Sequence, residues 1–178
     1  RALDPMLRSV ARETVKRIAA QGHCEFLKDY ALQLPILRFC HELGLEDDVA
    51  DELLHLGNEV TYGVDRVAAD VGLEAAQAHR AHYGAKIEEM LVAVVAKRHA
   101  APGEDIVSSM LAAQYDGVPV TDDEVLNILT LLFFAGTDSS SGAIAYAMLH
   151  LATHPGDRAP FVAHPEERDG LVEEALRL

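Results

Sequence analysis

Basic residues are the first shortage in this chain: 15 Lys and Arg stand against 29 Asp and Glu, a formal net charge of −14. A nucleic acid or an anionic membrane surface requires basic patches, so neither is an expected partner. The acids are dispersed rather than gathered into a tail, and they read as solvated helix faces. Cysteine is also scarce. Cys24 and Cys40 lack C-x-x-C spacing. Without a signal-peptide pattern they read as reduced thiols of a cytoplasmic protein. There is no H-E-x-x-H, so His79, His82, His150, His154 and His164 are expected to be solvated rather than to bind a metal. A Gly-rich phosphate loop, a G-x-S-x-G elbow and paired catalytic acids are absent too. Strand alternation is missing apart from a short piece around Cys24–Leu27, and no internal repeat or linker-like boundary is found.

What remains is helical. With 178 residues, 49% hydrophobic and 25% charged, the chain is long enough for one substantial core. Asp4-Pro5 is an N-cap and N1 pair opening a helix with the stripe Leu7, Val10, Ala11, Ile18 and Ala19, closed by Gly22. Glu25–Tyr30 leads into ALQLPILRFCHELGL, where Pro35 should kink or restart the helix and Gly44 should stop it. Glu46–Tyr62 carries acids in its first turn, as the helix dipole favours. A second long helix covers Leu73–His99, with Ile87, Met90, Leu91, Val94 and Val95 on one face. Pro102-Gly103 ends it, Ile106–Ala113 is a short helix, and Tyr115–Pro119 is a turn. The expectation is one mainly α domain over 1–178. Arg1 lies just before a helix start and Leu178 falls inside an amphipathic run, so both ends read as cut from a longer polypeptide.

The stretch Val120–His154 organises the rest. Thr121 and Glu124 form a capping box. Nothing then breaks the helix before His154-Pro155, which predicts a rod over about 121–153, roughly 45 Å long. Its two ends are apolar, but Gly136-Thr137-Asp138-Ser139-Ser140-Ser141-Gly142 sets two glycines, a carboxylate and four hydroxyls at its middle. Gly costs about 1 kcal/mol there relative to Ala, and Ser and Asp prefer caps. Three explanations stand: a functional notch facing something flat, a helix broken in two at Gly136, or a Ser-rich packing seam. A transmembrane span is not expected. The apolar run around Leu131–Ala135 falls short of about 20 residues, and Asp138 sits at the centre.

Ala135-Gly136-Thr137-Asp138-Ser139-Ser140 resembles the A-G-x-(D/E)-T-T motif in the long I helix of the cytochrome P450 family, the haem-thiolate monooxygenases. Downstream, His154-Pro155, His164-Pro165-Glu166 and Leu171–Leu178 are similar to the run that ends in the E-x-x-R of the K helix, here Glu174 and Arg177. PILRFCHELGL and the approach DGVPVTDDEVLNILTLLFFAG also resemble family stretches. The succession therefore looks like helices D to J and the start of K, a P450-like fold truncated at both ends.

The resemblance implies a haem cofactor, a small apolar organic substrate, a ferredoxin-type or other electron donor, and insertion of one oxygen atom of dioxygen. It makes Ala135, Gly136 and Ser139 cofactor-contacting, since small residues let the backbone approach a porphyrin. It makes Asp138 and Ser139 catalytic, with Ser139 where the family usually has threonine. Serine keeps the hydroxyl but lacks the methyl that restricts χ1, so a less fixed donor and more uncoupled turnover are expected. Glu174 and Arg177 become a structural pair completed by a partner from missing chain; read from the residues alone they are a surface pair worth about 0.2–0.5 kcal/mol. Glu46–Tyr62 and Leu73–His99 become the mobile lid. Neither cysteine has the F-x-x-G-x-x-x-C-x-G context, so the axial iron ligand is not in this chain. The rivals are a non-catalytic α-helical remnant or binding module without haem, and an all-α ligand-binding regulator.

Overall fold

The computed structural model describes residues 4–164 and 168–177. Along the chain come α1 (Asp4–Gln21), a π-turn (Leu27–Ala31), α2 (Gln33–Leu43), a 3-10 turn (Asp47–Val49) and α3 (Ala50–Asn58). A second π-turn (Glu59–Gly63), α4 (Val64–Asp70), α5 (Leu73–Ala100) and α6 (Ile106–Leu111) follow. The strands β1 (Gln114–Tyr115) and β2 (Val118–Pro119) precede α7 (Asp122–Thr153), α8 (Pro155–Ala163) and α9 (Arg168–Arg177). The mainly α expectation is met. Pro165, Glu166 and Leu178, which belong to the expected K-helix run, lie outside the described residues.

Three local expectations are corrected. Cys24–Leu27 is no strand, because Glu25 and Asp29 cap a helix start reciprocally. Asp29 Oδ2 accepts from Glu25 N at 2.8 Å, and Glu25 Oε2 accepts from Lys28 N at 2.9 Å. Conversely, Tyr115–Pro119 is more than a turn. Gln114 pairs with Pro119 and Tyr115 with Val118 in an antiparallel hairpin. Asp116 (φ 50) and Gly117 (φ 81) supply the two positive φ values that a tight hairpin turn needs. Finally, the helix expected at Glu46–Tyr62 does not stop there. Its path continues through the π-turn, with Gly63 at φ −61, into α4.

The described residues fall into two compact units. The larger, residues 36–137, holds the main apolar core. Ile36, Phe39, Cys40 and Leu43 from α2 meet Leu53 and Leu56 from α3, and Ile87, Leu91, Val94 and Val95 from α5. Val107 of α6 and Val125, Leu129 and Phe133 of α7 complete it. The α5 stripe is as its spacing predicts, with Met90 partly buried at the edge. Phe133 packs so closely on Gly57 that a Cβ there would lie 2.9 Å from Phe133 Cζ. It also sits 5.3 Å from the Phe39 ring.

A polar clamp ties three connections of this unit together. Arg98 near the end of α5 pairs through Nε with Asp105 Oδ2, and its Nη2 donates to Leu43 O at 3.0 Å. Asp105 caps α6 by accepting from Ser108 N at 2.9 Å. Burial raises the Asp105 pKa, but the Ser108 backbone and Arg98 hydrogen bonds outweigh it and hold the carboxyl below its usual range.

The second unit joins residues 1–35 with residues from 138 onward. Among its described residues, Thr14, Ala31, Pro35 and Ser141 are buried. Phe26 and Tyr30 stack at 5.1 Å, and burial pushes the Tyr30 phenol up. At the end of α7, His150 and His154 stack at 4.2 Å, and His150 Nε2 donates to Asp157 Oδ2 at 2.8 Å.

Candidate active site

α7 begins as its sequence requires. Thr121 N donates to Glu124 Oε2 at 2.8 Å, and Glu124 N donates to Thr121 Oγ1 at 3.3 Å. The Thr121 backbone N–H and then its hydroxyl hold the Glu124 carboxyl below its usual range. The helix then runs 32 residues without a break, so Gly136 does not divide it. By length and composition alone it could cross a membrane, contrary to the run-length expectation, because averaging over 18 residues tolerates its Gly, Ser and Thr. A core helix passes the same test, and Val125, Leu129 and Phe133 are fully in the core here.

At about 100° per residue, spacings of four, three and four put Ala135, Ser139, Gly142 and Tyr146 on one face of α7. Ile128, Leu131, Leu132 and Leu149 flank that line, and all four are exposed, as is Tyr146. Asp138 and Ser139 are exposed while Ser141, on the opposite side, is buried. A Cβ built on Gly136 or Gly142 would meet nothing within 4 Å. A packing seam would bring neighbouring atoms against those glycines, so close helix packing among the described residues does not account for them. The notch faces open space within an apolar strip.

Such a strip suits a flat, largely apolar group: small residues in the middle, apolar side chains before and after, and a hydroxyl and a carboxylate at the centre. The residues present therefore fit one side of a haem. They do not supply an iron ligand. Cys40 is fully buried in the apolar core, and Cys24 sits beside the reciprocal cap of the first π-turn. Among the described residues no three His, Cys, Asp or Glu side chains are placed to share a metal ion. Glu174 and Arg177 form an exposed pair on α9 at 2.6 Å.

One polar cluster went unread in the sequence. His79 Nε2 of α5 donates to Glu59 Oε2 at 2.8 Å, and Arg66 Nη2 donates to the same oxygen at 2.9 Å. Tyr83 lies against His79 at 4.6 Å. The signal that could have found it is the glycine in EVTYG, since a Cβ at Gly63 would overlap Glu59 Oε2 and lie 2.8 Å from His79 Nε2.

Comparison with known proteins agrees with this architecture. The family model "Cytochrome P450" matches residues 68–157, just over half of the chain. The steroid C26-monooxygenase of Mycolicibacterium smegmatis is 31% identical over 153 residues, covering 86% of this chain and 34% of that protein. The cyclomarin C epoxidase CymV of Salinispora arenicola is 30% identical over 177 residues, covering 99% of this chain and 44% of its own. The truncated structure of the bottromycin biosynthetic protein SalCYP superposes with a TM-score of 0.80 at 30% identity, over 99% of this chain and 45% of that one. The chain belongs to the cytochrome P450 family. It spans less than half the length of the curated relatives it matches.

Proposed function

We propose that this chain is part of a haem-dependent monooxygenase that inserts one oxygen atom of dioxygen into a small apolar organic substrate. The carrying observation is the α7 notch: an unbroken helix with Ala135, Ser139 and Gly142 aligned on an open, apolar-flanked face. Family membership and relatives named as a monooxygenase and an epoxidase support the same reading. Haem, when bound, would supply the activation of dioxygen.

The residues of this chain would do the rest. Ala135 and Gly136 would let the backbone lie close to the flat group without a projecting side chain. Ser139 would hold a proton at Oγ on the oxygen-binding side. Asp138, exposed beside it, would return that proton from solvent. Leu131, Leu132, Tyr146 and Leu149 would exclude water around them. Glu174 and Arg177 would brace the fold with a partner outside residues 1–178, and a thiolate to hold the haem would also come from outside them. The same proposal treats 1–178 as part of a single domain, with α3–α4 and α5 as a lid, a ferredoxin-type or other electron donor, and a cytoplasmic location.

The test uses the full-length polypeptide. Reduced and exposed to carbon monoxide, it should give the absorption of a thiolate-ligated haem. A haem-free protein that takes up no haem on reconstitution would sink the proposal and leave a helical binding module.

A further inference from the structure

Ser141 lies in the notch just beyond the motif, and the motif does not explain it. It is 2% exposed, on the side of α7 opposite Ser139. A hydroxyl so buried must find a partner, and it donates from Oγ to the Asp138 carbonyl at 3.0 Å. In a regular helix that carbonyl accepts only from the N–H four residues on, so Ser141 adds a second donor to it. Serine bonds of this kind to a carbonyl of the preceding turn can set a local bend in a helix.

The identity of that carbonyl gives the bond its consequence. The Asp138 C=O and the Ser139 N–H belong to one planar peptide unit. Whatever fixes the tilt of that plane fixes how the Cα–Cβ bonds of Asp138 and Ser139 leave the helix. Ser139 lacks the methyl that would restrict its own χ1, so the orientation of its backbone matters more than it would for threonine. Gly142 follows directly and offers no side chain to stiffen the turn.

We propose that Ser141 is a positioning residue: its buried hydroxyl pins the peptide between Asp138 and Ser139 and so aims both side chains. This rests on the proposed function of Asp138 and Ser139. It reaches the reaction only through them, because Ser141 itself faces away.

The experiment compares Ser141→Ala and the isosteric pair Ser141→Val and Ser141→Thr in the full-length protein, beside Ser139→Ala. The first readout is amide hydrogen exchange over residues 138–143, taken with and without haem. Loss of one hydrogen bond should speed exchange there about three- to tenfold in the Ala and Val variants, with Thr close to wild type. The second is the product formed per reducing equivalent consumed, which should fall in the same two variants while the carbon monoxide spectrum and substrate KM hold. Threonine and valine crowd the site equally, so an equal loss in both overturns the proposal. Wild-type exchange and coupling in Ser141→Ala and Ser141→Val, with coupling lost in Ser139→Ala, overturn it and leave the proposed function standing. Unchanged coupling in Ser139→Ala as well overturns both.

Discussion

Glu59 and His79, twenty residues apart in sequence, meet at 2.8 Å because position 63 has no side chain. Their side chains are only 19% and 17% exposed, and Gly63 is buried against them. The contact joins the π-turn to α5, and π-turns of this sort concentrate at functional positions.

Gly63→Ala should therefore part the pair. The added Cβ would press on both Glu59 Oε2 and His79 Nε2, and one of them must swing out. A loss of about 1–3 kcal/mol is expected from overpacking and the broken bond. Urea unfolding of the full-length protein, with Glu59→Ala and the double variant alongside, reads it. A fully additive double variant would show that the two positions do not communicate.

Asp105 sets an acid limit on stability. Its folded pKa is depressed, so the unfolded chain binds the proton more readily, and the contribution is complete above the ordinary Asp value of about 3.9. As pH falls through the folded value, that contribution disappears. Asp105→Asn should be about 1–3 kcal/mol less stable than wild type near neutrality, with the gap narrowing below pH about 4. The depressed Glu124 carboxyl acts in the same direction and remains in the variant. A gap independent of pH would contradict this account.

Phe133 anchors α7 in the core of the larger unit. Phe133→Ala should cost about 3–5 kcal/mol, since Gly57 and Phe39 cannot collapse fully into the cavity. Thermal unfolding measures it. A loss under about 1 kcal/mol would show that the site collapses around the missing ring.

At the notch, Ser139→Ala should lower turnover about 10²-fold, the lower range for a positioned proton donor. Ser139→Thr should raise product formed per reducing equivalent, because the added methyl restricts χ1. Peroxide released during turnover is the direct measure. If threonine releases more peroxide than serine, the hydroxyl's freedom is not the source of uncoupling.

Much of this was legible in advance because its causes are local. Thr121 and Glu124 cap α7 within three residues of each other, and Ile87, Leu91, Val94 and Val95 share a face by spacing alone. The hairpin at Gln114–Pro119 shows in the sequence only as a turn, because strands of two residues leave no alternation to detect. Cys24–Leu27 misleads for the opposite reason: the Asp29 carboxylate capping Glu25 N and the Glu25 carboxylate capping Lys28 N outweigh a faint β pattern.

The sequence by itself determined most of the helices, the capped start of the central rod and the family motif on it, since caps, spacing and small residues act within a few positions; that Gly136 does not break the rod came only with the structure. Tertiary structure alone decided which face of that rod stays open, that Ser141 turns inward to hold the Asp138 carbonyl, and that Glu59, Gly63 and His79 converge. Burial and close approach depend on which distant segments are brought together, and no local pattern encodes that.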